Sequence, residues 1–351
     1  MRPASADGTL SRTCVGLLGA GNISETHARA LAEIPEVELV ACWGRDAAKA
    51  ARITSAYGGR AYDDLDAFVA HAGMQVVLIG TPSGLHVEHA TRTVRRGLHV
   101  LVEKPLDVDV ERIDRLLADA EREGVTVGVI FQDRTAPDVV WLRELISSGG
   151  LGRPLIASAQ VKWYRPPEYY AGSRWRGTWA LDGGGALMNQ GIHTVDLLLW
   201  LFGDVARVTG MARTMLHRIE VEDTAFASVE FASGAIGTIE VTTAAYPGFP
   251  RRLELTGSEG TIVVESDRIA SLDLRTKPET MPPRTPGNVS ASASSPVVSD
   301  VSGHRRVIAD FVDAVRRGRR PLCDGRDGRR SVALVQAIYR AAREGRPTDL
   351  P

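Results

Sequence analysis

From Thr13 to Phe131, short apolar runs alternate with segments whose apolar positions recur at helical spacing. The runs are CVGLL, VELVACW, MQVVLIG, LHVLVEK and VTVGVIF. They are almost continuously apolar rather than strictly alternating, the pattern of strands covered on both faces. Between them ISETHARALAEI, DAAKAARITSAYG, GLHVEHATRTVRRG and DVERIDRLLADAEREG carry the helical period. Strand and helix in regular alternation predict a doubly wound α/β domain with a parallel sheet.

After Asp133 the texture changes. A helix, PDVVWLRELISSG, precedes the strand PLIASAQVKWY and a loop rich in aromatics, proline and glycine. Then comes DGGGALMNQGIHTVDLLLWLFG, Asp182 to Gly203, which reads as three glycines opening a long apolar helix. Within it Asn189 and His193 stand four residues apart, so an amide and an imidazole share one helix face. Asp182 is the expected N-cap. VARVTGMARTML, DTAFASVEFA, AIGTIEVTTAAY, RRLELTG, GTIVVES and IASLDL follow as strands separated by short turns. They predict an open, mostly antiparallel sheet. The expected division is a first domain over 13–133 and an α+β domain over 134–351. Within the second, 277–302 is rich in Pro, Ser and Ala and is expected to be a mobile surface loop. Two amphipathic helices close the chain.

A chain of 351 residues is long enough for two domains. Its 44% hydrophobic and 24% charged residues suit a soluble globular protein. A formal net charge of −1 gives no reason to expect nucleic acid or an anionic membrane as partner. Arg316, Arg317, Arg319, Arg320, Arg329 and Arg330 fall among acidic residues and read as solvated helix faces. Cys14 and Cys42 lie inside apolar strand-like runs. With Cys323 they make an odd count without metal-ligand spacing, which suits a reducing cytoplasm. MRPASADGTLSRT has no apolar signal core, and no apolar stretch of about 18 residues exists to span a bilayer. A soluble cytoplasmic protein is expected.

CVGLLGAGNISETHARAL runs from a strand through a Gly-rich turn into a helix. Gly19 permits the turn, and Gly21 lets the backbone approach a pyrophosphate. The helix N-terminus then offers N–H groups and partial positive charge to that anion. Ser24 takes the third small position of this fingerprint in place of glycine. The first domain is therefore read as a dinucleotide-binding Rossmann domain. Units selective for NAD usually end the second strand on Asp or Glu, which accepts hydrogen bonds from the ribose 2′-hydroxyl. Here that position is Gly44, followed by Arg45. Glycine removes the carboxylate that would repel a 2′-phosphate, and arginine can pair with one. NADP(H) is the expected cofactor. NAD(H) stays open, should Asp46 turn inward or Arg45 stack on adenine instead.

The fifth strand ends in LVEKPL, which places Glu103 and Lys104 at the C-terminal edge of the parallel sheet, where such folds bind ligands. Pro105 keeps Lys104 extended, so its amine can be aimed at a substrate hydroxyl or a developing alkoxide. The loop WYRPPEYYAGSRWRGTW offers Tyr164, Arg165, Tyr169, Tyr170, Arg174 and Trp179, and FQDR adds Gln132 and Arg134. Aromatic faces with planar guanidiniums suit a sugar ring and an anionic group; they suit a domain-packing cluster equally well. No spaced set of His, Cys or carboxylates converges, so no metal site is expected.

GAGNISETH, TPSGLHVEHA, VEKPL and DGGGALMNQGIHTVDLLLW together resemble the glucose–fructose oxidoreductase / inositol dehydrogenase family, Gfo/Idh/MocA, from about Cys14 to Pro351. The resemblance implies a second-domain sheet whose face covers the nicotinamide, catalytic roles for Lys104 and His193, and a cis Lys104–Pro105 bond. It implies cofactor contacts from Gly19, Gly21, Asn22, Ile23, Gly44, Arg45, Thr81, Pro82, His86, Glu103 and Lys104, with Trp175 and Arg176 against cofactor or substrate. Substrate contacts are expected from Asn189, Gln132, Arg134, Tyr164, Arg165, Trp175 and Arg176. A homo-oligomer, dimer or tetramer, is expected through the sheet of the second domain.

On this reading the Gly183–Gly185 run lets the helix start close to cofactor and substrate, with Asn189 and His193 projecting toward the reacting carbon. His193 accepts the proton of a carbinol as its hydride leaves, and Lys104 holds the alkoxide-like charge. Many family members carry Asp four residues before the histidine. Asn189 stands there in this chain; it can hydrogen-bond a hydroxyl but cannot take a proton. The segment VKWYRPPEYYAGSRWRGTWALDGGGALMNQGIH most resembles a branch related to the dehydrogenases that oxidise the 3-hydroxyl of nucleotide-linked sugar uronates. The expected activity is NAD(P)-dependent oxidation or reduction at a ring carbon of a sugar or sugar derivative, with an inositol, anhydrosugar or glycoside as alternative substrates. The alternative of another class is a non-catalytic regulator that senses nucleotide or sugar. A sensor would tolerate loss of the lysine or the histidine, and this chain has both.

Overall fold

The structure, a computed structural model, describes residues 12–279 and 300–350. Most of the expected surface loop, 280–299, lies outside the described residues. The first half of the chain forms β1 (Thr13–Leu18), α1 (Asn22–Ala32), β2 (Val37–Trp43), α2 (Ala47–Tyr57), β3 (Arg60–Tyr62), α3 (Leu65–Val69) and β4 (Val76–Ile79). There follow α4 (His86–Val94), β5 (His99–Val102), α5 (Val110–Glu123), β6 (Val127–Val129), α6 (Pro137–Ser147), β7 (Pro154–Lys162) and α7 (Pro167–Ala171). A π-helical turn, Ala186–Gly191, leads into α8 (Ile192–Phe202). Then come β8 (Val205–Arg213), β9 (Thr224–Phe231), β10 (Ile236–Thr242), β11 (Arg252–Gly257), β12 (Gly260–Glu265) and β13 (Arg268–Leu274). The last elements are α9 (Ser302–Arg317), α10 (Gly325–Glu344) and β14 (Thr348–Asp349).

These elements form two compact units. The first takes residues 12–107, 111–132 and 300–328, the second 108–110, 133–279 and 329–350. In the first, six parallel strands run in the order β3-β2-β1-β4-β5-β6. The order reverses between β1 and β4, so the loops after those strands open into the crevice where such sheets bind ligands. All five expected strands are present. β3 and α3, of three and five residues, were too short to register as periods.

The boundary differs from the expected split at 133. Residues 300–328 return to the first unit because the apolar face of α9 completes its core. Val307, Ile308, Phe311 and Val312 are buried with Val15, Leu31, Leu39 and Ile53. The ring of Phe311 lies so close to β6 that a Cβ at Gly128 would sit 2.7 Å from it.

The second unit holds eight strands in the order β13-β12-β11-β7-β10-β9-β8-β14. All pair antiparallel except β7 with β10, a parallel pair that run-by-run reading of turns could not reveal. β9 alternates buried and exposed positions, as a sheet covered on one face does. α8 packs against β7, and every residue of α8 except Trp200 is buried. Ile156, Met211, Phe226 and Ile236 are exposed. Among the described residues no helix is long and apolar enough to cross a membrane. Near the end of α9, Arg317 pairs with Asp313 at 2.7 Å and Arg319 with Asp310 at 2.7 Å.

Candidate active site

At the β1–α1 turn Gly19 has φ +126°, and a Cβ there would lie 2.8 Å from the carbonyl oxygen of Gly80 at the end of β4. Only glycine fits. Ser24 is 1% exposed, and its Oγ stands 3.2 Å from where a Cβ of Gly80 would be. The third position of the fingerprint therefore needs a small residue, and serine suffices. Gly21 is the N-cap of α1 and makes no side-chain cap bond; a Cβ there would meet nothing within 4 Å. Open space before a helix N-terminus that no side chain caps fits a dinucleotide pyrophosphate.

At the end of β2, a Cβ on Gly44 would lie 2.6 Å from the Ala20 Cβ, so the position excludes an acidic side chain by packing alone. Arg45 is exposed. The Asp46 carboxylate accepts N–H bonds from Ala48 (3.1 Å) and Lys49 (3.3 Å) and so caps α2. Thr81 Oγ1 and His89 Nδ1 lie 3.0 Å apart. Burial, helped by the positive side chains around it, pushes the His89 pKa down to about 4.

His86 is 1% exposed, and its ring joins two loops: Nδ1 is 2.7 Å from the Pro105 carbonyl oxygen and Nε2 2.8 Å from that of Thr81. Burial lowers its pKa against the pull of both carbonyls. The Lys104–Pro105 bond is cis. The Glu103 carboxylate accepts the Lys104 N–H (3.2 Å) through Oε2. Through Oε1 it meets His27 Nε2 at 2.9 Å and His304 Nε2 at 3.5 Å. Burial disfavours the ionised carboxylate, but the two imidazoles outweigh burial and hold its pKa well below the usual range. These three side chains converge from α1, the end of β5 and α9, all buried. The ground for expecting no converging set is thus corrected: positions 27, 103 and 304 gave no local spacing to read.

In the second unit the glycines around 184 have a specific reason. A Cβ at Gly183 would lie 2.2 Å from Val108, one at Gly184 2.2 Å from the Tyr339 hydroxyl, and one at Gly185 1.8 Å from the Glu222 carbonyl oxygen. The run makes room for protein. Asp182 is not the N-cap expected of it: its carboxylate accepts the Gly177 N–H (2.8 Å) and the Asn189 amide. The cap is Glu222, which accepts N–H bonds from Gly185 (2.9 Å) and Leu187 (2.8 Å) and the Tyr339 hydroxyl (2.8 Å). Burial raises the Glu222 pKa against those donors. Neither Glu222 nor Tyr339 carried a sequence signal, since both lie far along the chain from the turn they hold.

Asn189 is 9% exposed, and its Oδ1 accepts the Gln190 amide at 2.8 Å. Gln190 Oε1 in turn accepts from Arg165 Nη2 (2.9 Å), while its amide reaches the Tyr169 hydroxyl (3.0 Å). The Arg165 guanidinium lies over the Trp163 and Tyr169 rings, and Arg176 stacks over Tyr169 at 4.3 Å. The Arg176 Nε is buried with no hydrogen-bond partner among the described residues. One turn beyond Asn189, His193 Nδ1 lies 3.5 Å from Asp133 Oδ2, which also pairs with Arg251.

Residues 13–131 match a family described as "Oxidoreductase family, NAD-binding Rossmann fold", and residues 139–263 match the GFO/IDH/MocA C-terminal domain. The chain is also similar to the WlbA dehydrogenase of Bordetella pertussis, solved with NADH and UDP-GlcNAcA. The two are 33% identical, the match covers 97% of this chain and 99% of that one, and the TM-score is 0.86. The chain belongs to the Gfo/Idh/MocA family. This Gfo/Idh/MocA protein is further similar to GenD2 of gentamicin A biosynthesis, solved with NAD, at 27% identity, full coverage of both chains and TM-score 0.82. It is 27% identical to the inositol 2-dehydrogenase of Rhizobium meliloti (strain 1021), over 95% of this chain and 98% of the relative. It is an oxidoreductase of a family acting on sugar-like alcohols, with an NAD-binding Rossmann unit.

Several residues expected at the Gfo/Idh/MocA site have internal partners. Arg134 is 1% exposed and holds Asp196 bidentately (2.8 and 2.6 Å), with Trp200 beneath it, so it braces α8. The His86 ring, the Glu103 carboxylate and the Asn189 amide are likewise engaged, each shaping the loop or turn that carries its neighbours. Tyr164 packs edge-on against Tyr246.

Proposed function

We propose that the protein is an NADP-preferring oxidoreductase that interconverts a ring carbinol and ketone of a sugar derivative bearing an anionic group, with Lys104 and His193 as the acid–base pair. One observation carries the substrate reading. The buried chain of hydrogen bonds Asp182–Asn189–Gln190–Arg165, with Arg165 and Arg176 both over Tyr169, sits one turn before His193. Apolar packing does not need such a network, whereas a polyhydroxylated ring with a carboxylate or phosphate does.

A nicotinamide supplies the hydride acceptor or donor. His193 takes the carbinol proton on oxidation and returns it on reduction. The Lys104 ammonium stabilises the oxyanion. Gly19 and Gly21 admit the pyrophosphate. Gly44 leaves no acid for a ribose 2′-hydroxyl, Asp46 is spent on capping α2, and exposed Arg45 is the group left for a 2′-phosphate. Three free cysteines accord with a cytoplasmic location.

The test is a titration of NADPH and NADH followed by nicotinamide fluorescence, for the wild type and Arg45→Ala. NADPH should bind at least about tenfold more tightly, a margin of about 1.4 kcal/mol that the substitution removes. NADH binding as well as NADPH would sink the cofactor preference alone. Turnover is then measured on sugar uronates, sugar phosphates, inositols and anhydrosugars. Lys104→Met and His193→Gln should each lower kcat by about 10²- to 10⁴-fold, with nucleotide affinity unchanged in His193→Gln. Full activity in either variant refutes its role, and nucleotide binding without turnover on any of them would favour a sensor.

A further inference from the structure

His193 is the second residue of α8, and the polar group that meets its Nδ1 comes from outside that helix. Asp133 stands just before α6, with its Oδ2 3.5 Å from His193 Nδ1. The same oxygen is paired with Arg251, at the entrance to β11. Arg251 is 9% exposed, and its Nε donates to the Ser266 carbonyl at 2.7 Å. Asp133 is therefore anchored from behind and faces an imidazole in front. Asn189, the residue one turn before His193, carries no charge, donates to Asp182 and accepts from Gln190.

We infer that Asp133, fixed by Arg251, is the positioning carboxylate of His193: at 3.5 Å its charge acts on Nδ1 electrostatically rather than through a hydrogen bond, favours the tautomer protonated there and leaves the Nε2 lone pair for the substrate proton. A neutral imidazole has one N–H, and whichever acceptor holds it selects the tautomer. A carboxylate at Nδ1 also stabilises the imidazolium that forms when Nε2 takes a proton. Arg251 fixes Asp133 and offsets part of its charge. Burial disfavours the Arg251 cation, but Asp133, with Asp267 behind it, raises its pKa above the usual range. The other charges along this helix are engaged: Arg134 neutralises Asp196, and Asp182 accepts from Gly177 as well as Asn189. This inference rests on the proposed role of His193, but its first test needs no substrate.

The measurement is an NMR titration of the whole chain labelled at histidine Cε1, without nucleotide. The His193 signal, one of eight, is assigned by its loss in His193→Gln. In Asp133→Asn the uncompensated Arg251 cation faces the ring, and the His193 pKa should fall by about one unit or more. Asp133→Glu should stay within about 0.3 unit of wild type, since it keeps the charge. Should Asp133→Asn fail to fold, Arg251→Gln reads the same coupling with opposite sign, a rise in the His193 pKa. A pKa unmoved by these substitutions overturns the inference. With an active substrate in hand, Asp133→Asn should lower kcat about 10- to 100-fold, leave KM within about twofold, and shift the acid limb of the rate profile downward. If no sugar is turned over but the NMR shifts occur, the proposed function fails and the positioning stands. If turnover occurs and the His193 pKa ignores Asp133, only the positioning fails.

Discussion

A Cβ at Gly185 would lie 1.8 Å from the Glu222 carbonyl oxygen, while one at Gly21 would meet nothing within 4 Å. Two glycines of the same site thus serve opposite ends, and alanine at each separates them. Gly185→Ala must displace the backbone that caps the π-helical turn and should cost at least about 2 kcal/mol in urea unfolding. Gly21→Ala should leave stability within about 0.5 kcal/mol of wild type. It places a methyl group where the pyrophosphate would approach, and should weaken nucleotide binding about tenfold or more in the fluorescence titration. Undiminished nucleotide affinity in Gly21→Ala would place the pyrophosphate elsewhere. GAG was legible in the sequence because its spacing encodes a need of the backbone itself. The GGG run was legible only as a close approach; that Glu222, Tyr339 and Val108 are what it approaches depends on tertiary packing. Asp133 lies in FQDR between Gln132 and Arg134, and nothing local ties it to His193, sixty residues on.

Among the elements of the first unit, burial concentrates on histidines: His27 on α1, His86 and His89 on α4, and His99 on β5. All have their pKa lowered, with loss of solvent the largest cause in each. The unfolded chain then binds protons that the folded unit refuses, beginning as pH falls through about 6.5. His89, with its pKa near 4, alone removes about 2 kcal/mol between pH 7 and pH 5, at about 1.4 kcal/mol per unit. Glu103 acts in a lower window. Its depressed pKa contributes stability that is present above about 4.5 and lost as pH drops through the folded value. Urea midpoints should therefore fall between pH 7 and pH 5, and His89→Gln should flatten the slope. Equal stability at the two pH values would refute the account. The helices bearing His27, His86 and His89 and the strand that begins at His99 were legible from their patterns. Their titration was not, since a period tells which face is buried but not what a histidine meets there. The π-helical turn, the three-residue β3 and the β7–β10 parallel pair escaped for a related reason: pairing across the sheet and one extra residue per turn leave little trace in local spacing.

For the whole molecule, the order of elements along the chain does not follow the order of units. The chain leaves the first unit at 132 and comes back to it at 300, so a cut at 133, where the apolar pattern changes, falls at a real unit boundary and yet leaves the first unit incomplete. The missing piece is α9. Val307, Ile308, Phe311 and Val312 are each buried in the core built by β1, α1 and β2. At roughly 1.5–3 kcal/mol for each such side chain, their removal costs about 6–12 kcal/mol, comparable to the whole stability of a typical domain. Fragment 12–133 should therefore be insoluble or lack a cooperative urea transition. The same fragment joined by a flexible Gly/Ser linker to 300–328 should fold and bind nicotinamide nucleotide, because the β1–α1 turn and the loops after β4 and β5 all belong to this unit. Cooperative folding of 12–133 alone would show that α9 is an accessory to this Rossmann unit. Folding that requires 300–328 would make the returning helix part of it, and would explain why a sequence pattern that reports only local periods stops one helix short.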